Sequence, residues 1–403
     1  MSRYLDRPSA TDADRELRAE LVGRAAKLVP LLAANAQRTE DERQAVAENI
    51  EAIRDAGLLS LMRPKRYGGL QTDIRTKLEV SRELARGCGS TAWSVSLLNV
   101  CTWFAALWPE QAQDDIWRDS PDNRVAGSLS LYGTAAPVDG GYRVTGRWPF
   151  ASGSGYAQWT VVGTVTETAG GPPALGLVLI PRDEVTIEDS WHVVGMSGTG
   201  SNTIVSDEVF VPAHRYHSME RIMDGDYGTP FTEEPLYRAA FVPVAALILV
   251  APLLGMAQAA LDLVLEKVPG RAATATYFDR QSEVPGVQLD LANAAALVES
   301  AHLHAYLAAA EIDQNAHDGV YPSMVGRAKA RMDTAVAVKY AREATRLLLG
   351  VYGAASFATG SPMQRIWRNL EAASSHTIFR PEINAQLYGQ HLLGIEGGVT
   401  PII

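Results

Sequence analysis

The chain predicts an α+β protein that is mostly α: a helical N-terminal part, a central antiparallel β part shaped as a small barrel, and a C-terminal bundle of antiparallel helices. Three observations carry this. Residues 11–117 place apolar side chains at three- and four-residue intervals, the period of a helix with one buried stripe. Residues 125–215 switch to short β-prone pieces punctuated by Gly, Pro and Asp. Residues 236–390 return to long Ala- and Leu-rich segments, whose small side chains let helices pack closely. No βαβ alternation occurs, which argues against a doubly wound sheet.

Taken in order, DRELRAELVGRAAKLVPLLAANA and EDERQAVAENIEAIRDAGLL read as helix. Arg63-Pro64-Lys65-Arg66-Tyr67-Gly68-Gly69 breaks the pattern with turn residues, and helix resumes at Thr76 and again over 91–107. GYRVTGRWPF, WTVVGTVTE, LGLVLIP, VTIEDSW and TIVSDEVFVP read as strands, with Asp139-Gly140-Gly141 and Ala169-Gly170-Gly171-Pro172 as turn or loop signals. FVPVAALILVAPLLG, from Phe241 to Gly255, is the longest apolar run; it holds two prolines and falls short of the ~20 residues of a membrane span, so it reads as the entry of a buried helix.

Composition narrows the function. Apolar residues are 47% and charged residues 20% of 403, the mix of a folded chain and not of a disordered or fibrous one. A net charge of −10 gives no basic face for nucleic acid. Cys88 and Cys101 are too few for a disulfide framework or a four-thiolate zinc site, which points to a reducing cytoplasm. The polar start MSRYLDRPSATDADRELR has no apolar stretch of a secretory signal, and no membrane association is expected. There is no G-x-G-x-x-G between strand and helix, no phosphate-loop motif, no G-x-S-x-G and no H-E-x-x-H. His302 and His304 are two apart on a helix, and His214 and His217 have no carboxylate cluster beside them, so no metal is expected.

Two segments carry positive signals. In Gly146-Arg147-Trp148-Pro149-Phe150-Ala151-Ser152-Gly153-Ser154-Gly155, aromatic side chains followed by hydroxyls at a strand end suit a flat heteroaromatic ring with a polar edge; a turn with core aromatics would look the same. Gly195-Met196-Ser197-Gly198-Thr199-Gly200-Ser201-Asn202 could cradle a phosphate with its N–H groups, or be an ordinary tight turn.

The order of pieces is more specific. Pro64-Lys65-Arg66-Tyr67-Gly68-Gly69-Leu70, Gly89-Ser90-Thr91-Ala92-Trp93, the Trp148–Gly153 segment, the Gly195–Asn202 loop leading to Val209-Phe210-Val211-Pro212, and Ser361-Pro362-Met363-Gln364-Arg365-Ile366-Trp367-Arg368 running to His376 follow one another in a known pattern. From about residue 40 to 380 the chain resembles the acyl-CoA dehydrogenase fold, and within it the oxygenase branch: two-component, reduced-flavin monooxygenases such as the p-hydroxyphenylacetate and hydroxysteroid-ring hydroxylases. The resemblance implies an N-terminal helical domain (1–122), a central β-barrel (123–218) and a C-terminal four-helix bundle (219–403), assembled as a homotetramer. It implies reduced FMN or FAD supplied by a separate NAD(P)H:flavin reductase, reaction with O₂ through a C4a-hydroperoxide, and hydroxylation of an aromatic or polycyclic organic substrate. By the same resemblance, Ser128, Ser130, Trp148, Phe150 and Ser152 wall and bond the flavin ring; Thr199, Ser201 and Asn202 lie toward its phosphate side; Arg271 and Gln288 meet a neighbouring subunit's cofactor tail.

His376 is the expected catalytic residue. Dehydrogenases of this fold carry a glutamate base where this chain reads Ser374-Ser375-His376-Thr377, with no carboxylate to abstract an α-proton. An imidazole there would donate a hydrogen bond and shuttle protons near neutral pH. Phenol hydroxylases of the branch also carry a histidine after a Trp, where this chain has Cys101-Thr102-Trp103-Phe104; Trp103 and Phe104 are the expected substrate-pocket residues, and a phenol would lack that base. The alternatives are N-hydroxylation of an amine by the same flavin chemistry, FAD-dependent desaturation of an acyl-CoA with Glu371 as nearest base, and a scaffold that has lost its flavin.

Overall fold

The fold is taken from a computed structural model, which describes residues 6–167, 172–400 and 402–403. The N-terminal helices are α1 (Asp12–Ala34), α2 (Ala36–Asp41), α3 (Ala47–Asp55), α4 (Ile74–Gly87), α5 (Gly89–Ala106) and α6 (Glu110–Trp117). Thr11 caps α1 by accepting from the Asp14 amide while the Asp14 carboxylate bonds back to the Thr11 amide, two orphan N–H groups satisfied at once. The second predicted helical segment is interrupted between α2 and α3, where Arg43 turns left-handed (φ 53°) and reaches across to the Asp189 carboxylate at 2.6 and 2.8 Å.

Among the described residues seven strands follow: β1 (Val125–Val138), β2 (Gly141–Ala151), β3 (Trp159–Thr166), β4 (Ala174–Pro181), β5 (Thr186–Glu188), β6 (Asn202–Pro212) and β7 (Tyr216–Ser218). Asp139-Gly140 closes the β1–β2 hairpin, with Gly140 at φ 76° as its turn requires. The second loop signal, at Ala169-Gly170-Gly171, lies outside the described residues. One expectation is corrected. Not every pair is antiparallel: β1 and β3 run parallel, because β2 occupies one edge of β1 and the chain, reversed twice, returns along the other. Among the described residues the hydrogen-bonded order is β5-β6-β2-β1-β3-β4-β7. The sheet packs around its own apolar cluster, with Val144, Trp148, Val162, Val178, Ile204 and Val211 inside.

The C-terminal part holds α7 (Met219–Met223), three long helices α8 (Phe241–Lys267), α9 (Pro285–Asp318) and α10 (Met324–Tyr352), and the shorter α11 (Pro362–Ser374) and α12 (Pro381–Leu392). Ala301, Ala305 and Ala308 of α9 and Ala337, Ala341 and Ala344 of α10 are fully buried, as the small-residue pattern anticipates. Among the described residues one helical stretch, 241–270, is long and apolar enough to cross a membrane, and 83% of that window is buried in the protein. The N- and C-terminal helices share one large core, from Leu78 and Trp103 to Leu247 and Ala341. Asp313 of α9 ties the halves together by accepting from the first amides of α4, Ile74 at 2.8 Å and Arg75 at 2.9 Å.

Candidate functional site

A strand irregularity builds the site. β2 and β6 pair from Gly141↔Pro212 to Trp148↔Ile204 with one register shift between Val144 and Gly146, then slip again, and resume at Ala151↔Asn202. Pro149 cannot donate to the ladder, and Phe150 takes φ 65°, left-handed and strained for a residue with a Cβ. The bulge re-aims the side chains around it. Phe150 turns outward, 61% exposed, edge-on to Trp191 at 5.8 Å. Ser152 turns inward and is buried. Asn202 holds this arrangement from behind: its Oδ1 accepts from the Ser190 and Trp191 amides at 3.1 and 3.0 Å.

Inside, four side chains form a continuous chain of hydrogen bonds. The Trp93 indole N–H of α5 donates to Ser152 Oγ at 3.2 Å. Ser152 Oγ lies 2.6 Å from Ser201 Oγ, Ser201 Oγ lies 2.6 Å from Thr199 Oγ1, and Thr199 Oγ1 donates to the Met196 carbonyl at 2.8 Å. Three elements fix the loop that carries Thr199: Asn369 of α11 accepts from the Met196 amide at 2.6 Å, Ser94 of α5 donates to the Thr199 carbonyl at 3.1 Å, and Ser197 donates to the Glu40 carbonyl of α2 at 3.1 Å. The amides of Met196, Thr199, Gly200 and Asn202, four of the loop's eight, are spent on these and on the loop's own turns.

His376 follows α11 and meets the other side of Trp93, its ring centroid 6.3 Å from the indole and 5.9 Å from Phe379. Water reaches the ring, yet it sits deep among protein atoms that strip hydration from the imidazolium and lower its pKa to about 4. The lowered pKa favours the uncharged ring at neutral pH. Its Nδ1 accepts from the Ile378 amide at 3.3 Å, an arrangement that leaves the proton on Nε2.

The remaining residues divide. Ser128 and Ser130 lie in β1 where its register with β3 shifts, and among the described residues no protein group bonds their hydroxyls. Trp148 is not part of this cluster: it is fully buried in the sheet core and donates to the Gly163 carbonyl at 2.7 Å. Trp103 and Phe104 are buried in the helical core against Phe241 of α8, at 5.9 and 4.5 Å, with the Trp103 N–H given to the Leu236 carbonyl. Arg271 donates to the Tyr352 carbonyl at 2.6 Å, and Gln288, exposed on α9, to that of Ser282 at 2.9 Å; neither has a polar contact with the Ser152 cluster. Glu371 is clamped by Arg342 and Arg346 at 2.6 and 2.7 Å; although burial alone would raise its pKa, the two guanidinium groups hold it below the usual carboxylate range. Among the described residues no three His, Cys, Asp or Glu side chains gather as a metal site. Two clefts, of about 490 and 330 Å³, lie elsewhere; the second touches the site loop's anchors Glu40 and Asn369.

Trp93, Trp191 and Asn369 were not singled out by sequence reasoning as site residues. Trp93 closes one of the quoted motifs, but on a helix as uniformly buried as α5 no periodicity separates an indole that serves a site from one that fills a core.

Comparison with known proteins adds the context. Residues 11–117 match the family model "Acyl-CoA dehydrogenase, N-terminal domain" and residues 247–381 match "Acyl-CoA dehydrogenase, C-terminal domain". The chain is 34% identical to the oxygenase subunit HsaA of a flavin-dependent monooxygenase from Mycobacterium tuberculosis, over 93% of this chain and 95% of that protein. It is 33% identical to the oxygenase component of an FADH(2)-dependent resorcinol hydroxylase from a Rhizobium species, over 93% and 94%. Among solved structures, XiaF from a Streptomyces species, in complex with FADH2 and glycerol, superposes with a TM-score of 0.92 at 34% identity, covering 97% of this chain and 99% of that one.

Proposed function

We propose a function from one premise: the chain belongs to the acyl-CoA dehydrogenase family and, within it, to the oxygenase components of flavin-dependent monooxygenases. It is an oxidoreductase that hydroxylates an aromatic substrate with reduced flavin, FADH2 in the relatives named for it, delivered by a separate reductase. The observation that carries this reading is the convergence on Trp93 of the Ser152 hydroxyl chain and an uncharged His376.

The residues present fit a flavin. Phe150 and Trp191 offer an exposed aromatic wall for a flat ring. Among the described residues no protein group bonds the Ser128 and Ser130 hydroxyls, which leaves them for its polar edge, and Ser152 adds a buried contact. When bound, reduced flavin activates dioxygen and supplies one oxygen atom to the substrate. The protein's own part is to bind and orient that group and to hold a proton at His376 Nε2, beside the Trp93 and Phe379 rings. Phe104, packed between Trp103 and Phe241, offers no base, which favours an aromatic substrate that needs no deprotonation from that side. Desaturation is disfavoured, since Glu371 is neutralised by two arginines. The work is divided over three units, 1–122, 123–218 and 219–403. The assembly is a cytoplasmic homotetramer, in which Arg271 and Gln288 face a neighbour's cofactor and two buried free thiols remain reduced.

The test supplies the purified chain with FADH2, from a heterologous NADH:flavin reductase, and a panel of phenols, indoles and polycyclic aromatics. Product carrying one added oxygen is expected only when reduced flavin is supplied. NADH oxidation by the chain alone, at the rate of product formation, overturns the reading.

A further inference from the structure

A hydroxyl has one proton, and the chain from Trp93 to Met196 leaves no choice about where each proton goes. The Met196 carbonyl can only accept, so Thr199 spends its proton there, at 2.8 Å. Thr199 must then accept at its 2.6 Å contact with Ser201, and Ser201 is the donor. Ser201, its proton used, accepts at 2.6 Å from Ser152. The other end agrees, because an indole N–H can only donate, and Ser152 accepts from Trp93 at 3.2 Å. Ser152 therefore has its proton committed within the protein and one of its two lone pairs occupied. All it can offer a ligand is the remaining lone pair.

We infer that Thr199 and Ser201 are positioning residues that make Ser152 an obligate hydrogen-bond acceptor, and that this selects reduced over oxidised flavin. The inference rests on the flavin reading above. Reduction of the isoalloxazine converts ring nitrogens that are lone-pair acceptors into N–H donors. An acceptor with no proton to turn attracts the reduced ring and repels the oxidised one. A serine free to rotate would serve both equally. The device is fixed in place by the loop's anchors on α5 and α11, at Ser94 and Asn369, so binding does not have to order it.

Anaerobic titration with FADH2 and with FAD gives the ratio of the two dissociation constants, and the midpoint potential of the bound flavin reports the same quantity independently of turnover. Ser201→Ala frees the Ser152 proton directly. Thr199→Val does so by removing the acceptor for Ser201, which can then turn its proton back. Both are expected to shrink the preference for FADH2 about tenfold, the size of one net hydrogen bond, and to lower the potential by about 30 mV. Thr199→Ser, which keeps the hydroxyl, restores both values. Trp93→Phe removes only a donor and leaves the proton direction intact, so the preference persists even where both affinities shift. A ratio within twofold of wild type in Ser201→Ala, or an equal collapse in Trp93→Phe, overturns the inference while leaving the flavin reading standing. Failure of the wild-type chain to bind either form overturns both. If Thr199→Val does not fold, Ser201→Ala decides alone.

Discussion

The imidazole of His376 stays uncharged down to about pH 4, because the surrounding protein removes the hydration that an imidazolium needs. A proton donor that does not ionise leaves no inflection of its own near neutrality. Its contribution to the rate is therefore expected to be flat from pH 5 to 8, and a pH–rate inflection between 6 and 7 that disappears in His376→Ala would contradict this. The same substitution should lower coupled product formation by roughly 10²–10⁴, with hydrogen peroxide released instead, and leave thermal unfolding nearly unchanged because the ring lies at a water-accessible wall. Ser152→Ala acts differently: it removes a buried acceptor, so reduced-flavin affinity should fall by about 1–3 kcal/mol. Unchanged affinity and unchanged peroxide leakage would make Ser152 a turn residue.

At the scale of the strand, the bulge at Pro149 and Phe150 is what separates two aromatic residues that look alike in sequence. Trp148 precedes it and points into the sheet core, where Gly133 and Gly146 leave room for its indole. A Cβ at Gly146 would fall 2.5 Å from Trp148 Cζ2 and 2.6 Å from the Gly133 Cα, a clash with backbone as well as side chain. Gly146→Ala should therefore destabilise the protein by about 2–3 kcal/mol, read as a lower midpoint in thermal or urea unfolding. An unchanged midpoint would mean that the sheet tolerates a shift there. Because Phe150 lies in the bulge, its ring faces outward, and truncating it should weaken flavin binding without that loss of stability.

For the whole molecule, stability is linked to pH through two histidines outside the site. His217 is buried against Trp108, and His302 is buried on α9 with its Nδ1 2.7 Å from the Val298 carbonyl. Burial lowers the pKa of each to about 4. The unfolded chain takes up these protons below about 6.5 and the folded chain only near 4, so stability is full above 6.5 and falls as pH drops from 6.5 to 4. Each site contributes up to about 3 kcal/mol. Asp313 works in the opposite sense: burial, with the Asp73 carboxylate nearby, raises its pKa, so the stability its protonated form contributes is lost as pH rises above the ordinary carboxylate value. Comparing wild type with His302→Asn isolates the histidine, and the variant should lose less stability between pH 6.5 and 4. Parallel pH dependence in the two proteins would show that His302 does not contribute.

Periodicity and composition were enough to locate helix, strand and helix in order, because a buried stripe repeats every three or four residues in one and every second residue in the other. The hydroxyls of Ser152, Thr199 and Ser201 were legible as a candidate site because Gly, Ser and Thr gather where few core positions would use them. The sequence could not tell that Trp148 and Phe150 face opposite ways, since a one-residue slip in strand register reverses every side chain after it and leaves no mark on composition. Nor could it show that Trp93 and His376, 283 positions apart, share one contact, that Glu371 is tied up by Arg342 and Arg346, or which way the hydroxyl protons run. Local propensity acts over a few residues; only the packing of α5, the β2–β6 bulge and the end of α11 against one another decided the chemistry, because donors, acceptors and burial at this site are supplied by different parts of the chain.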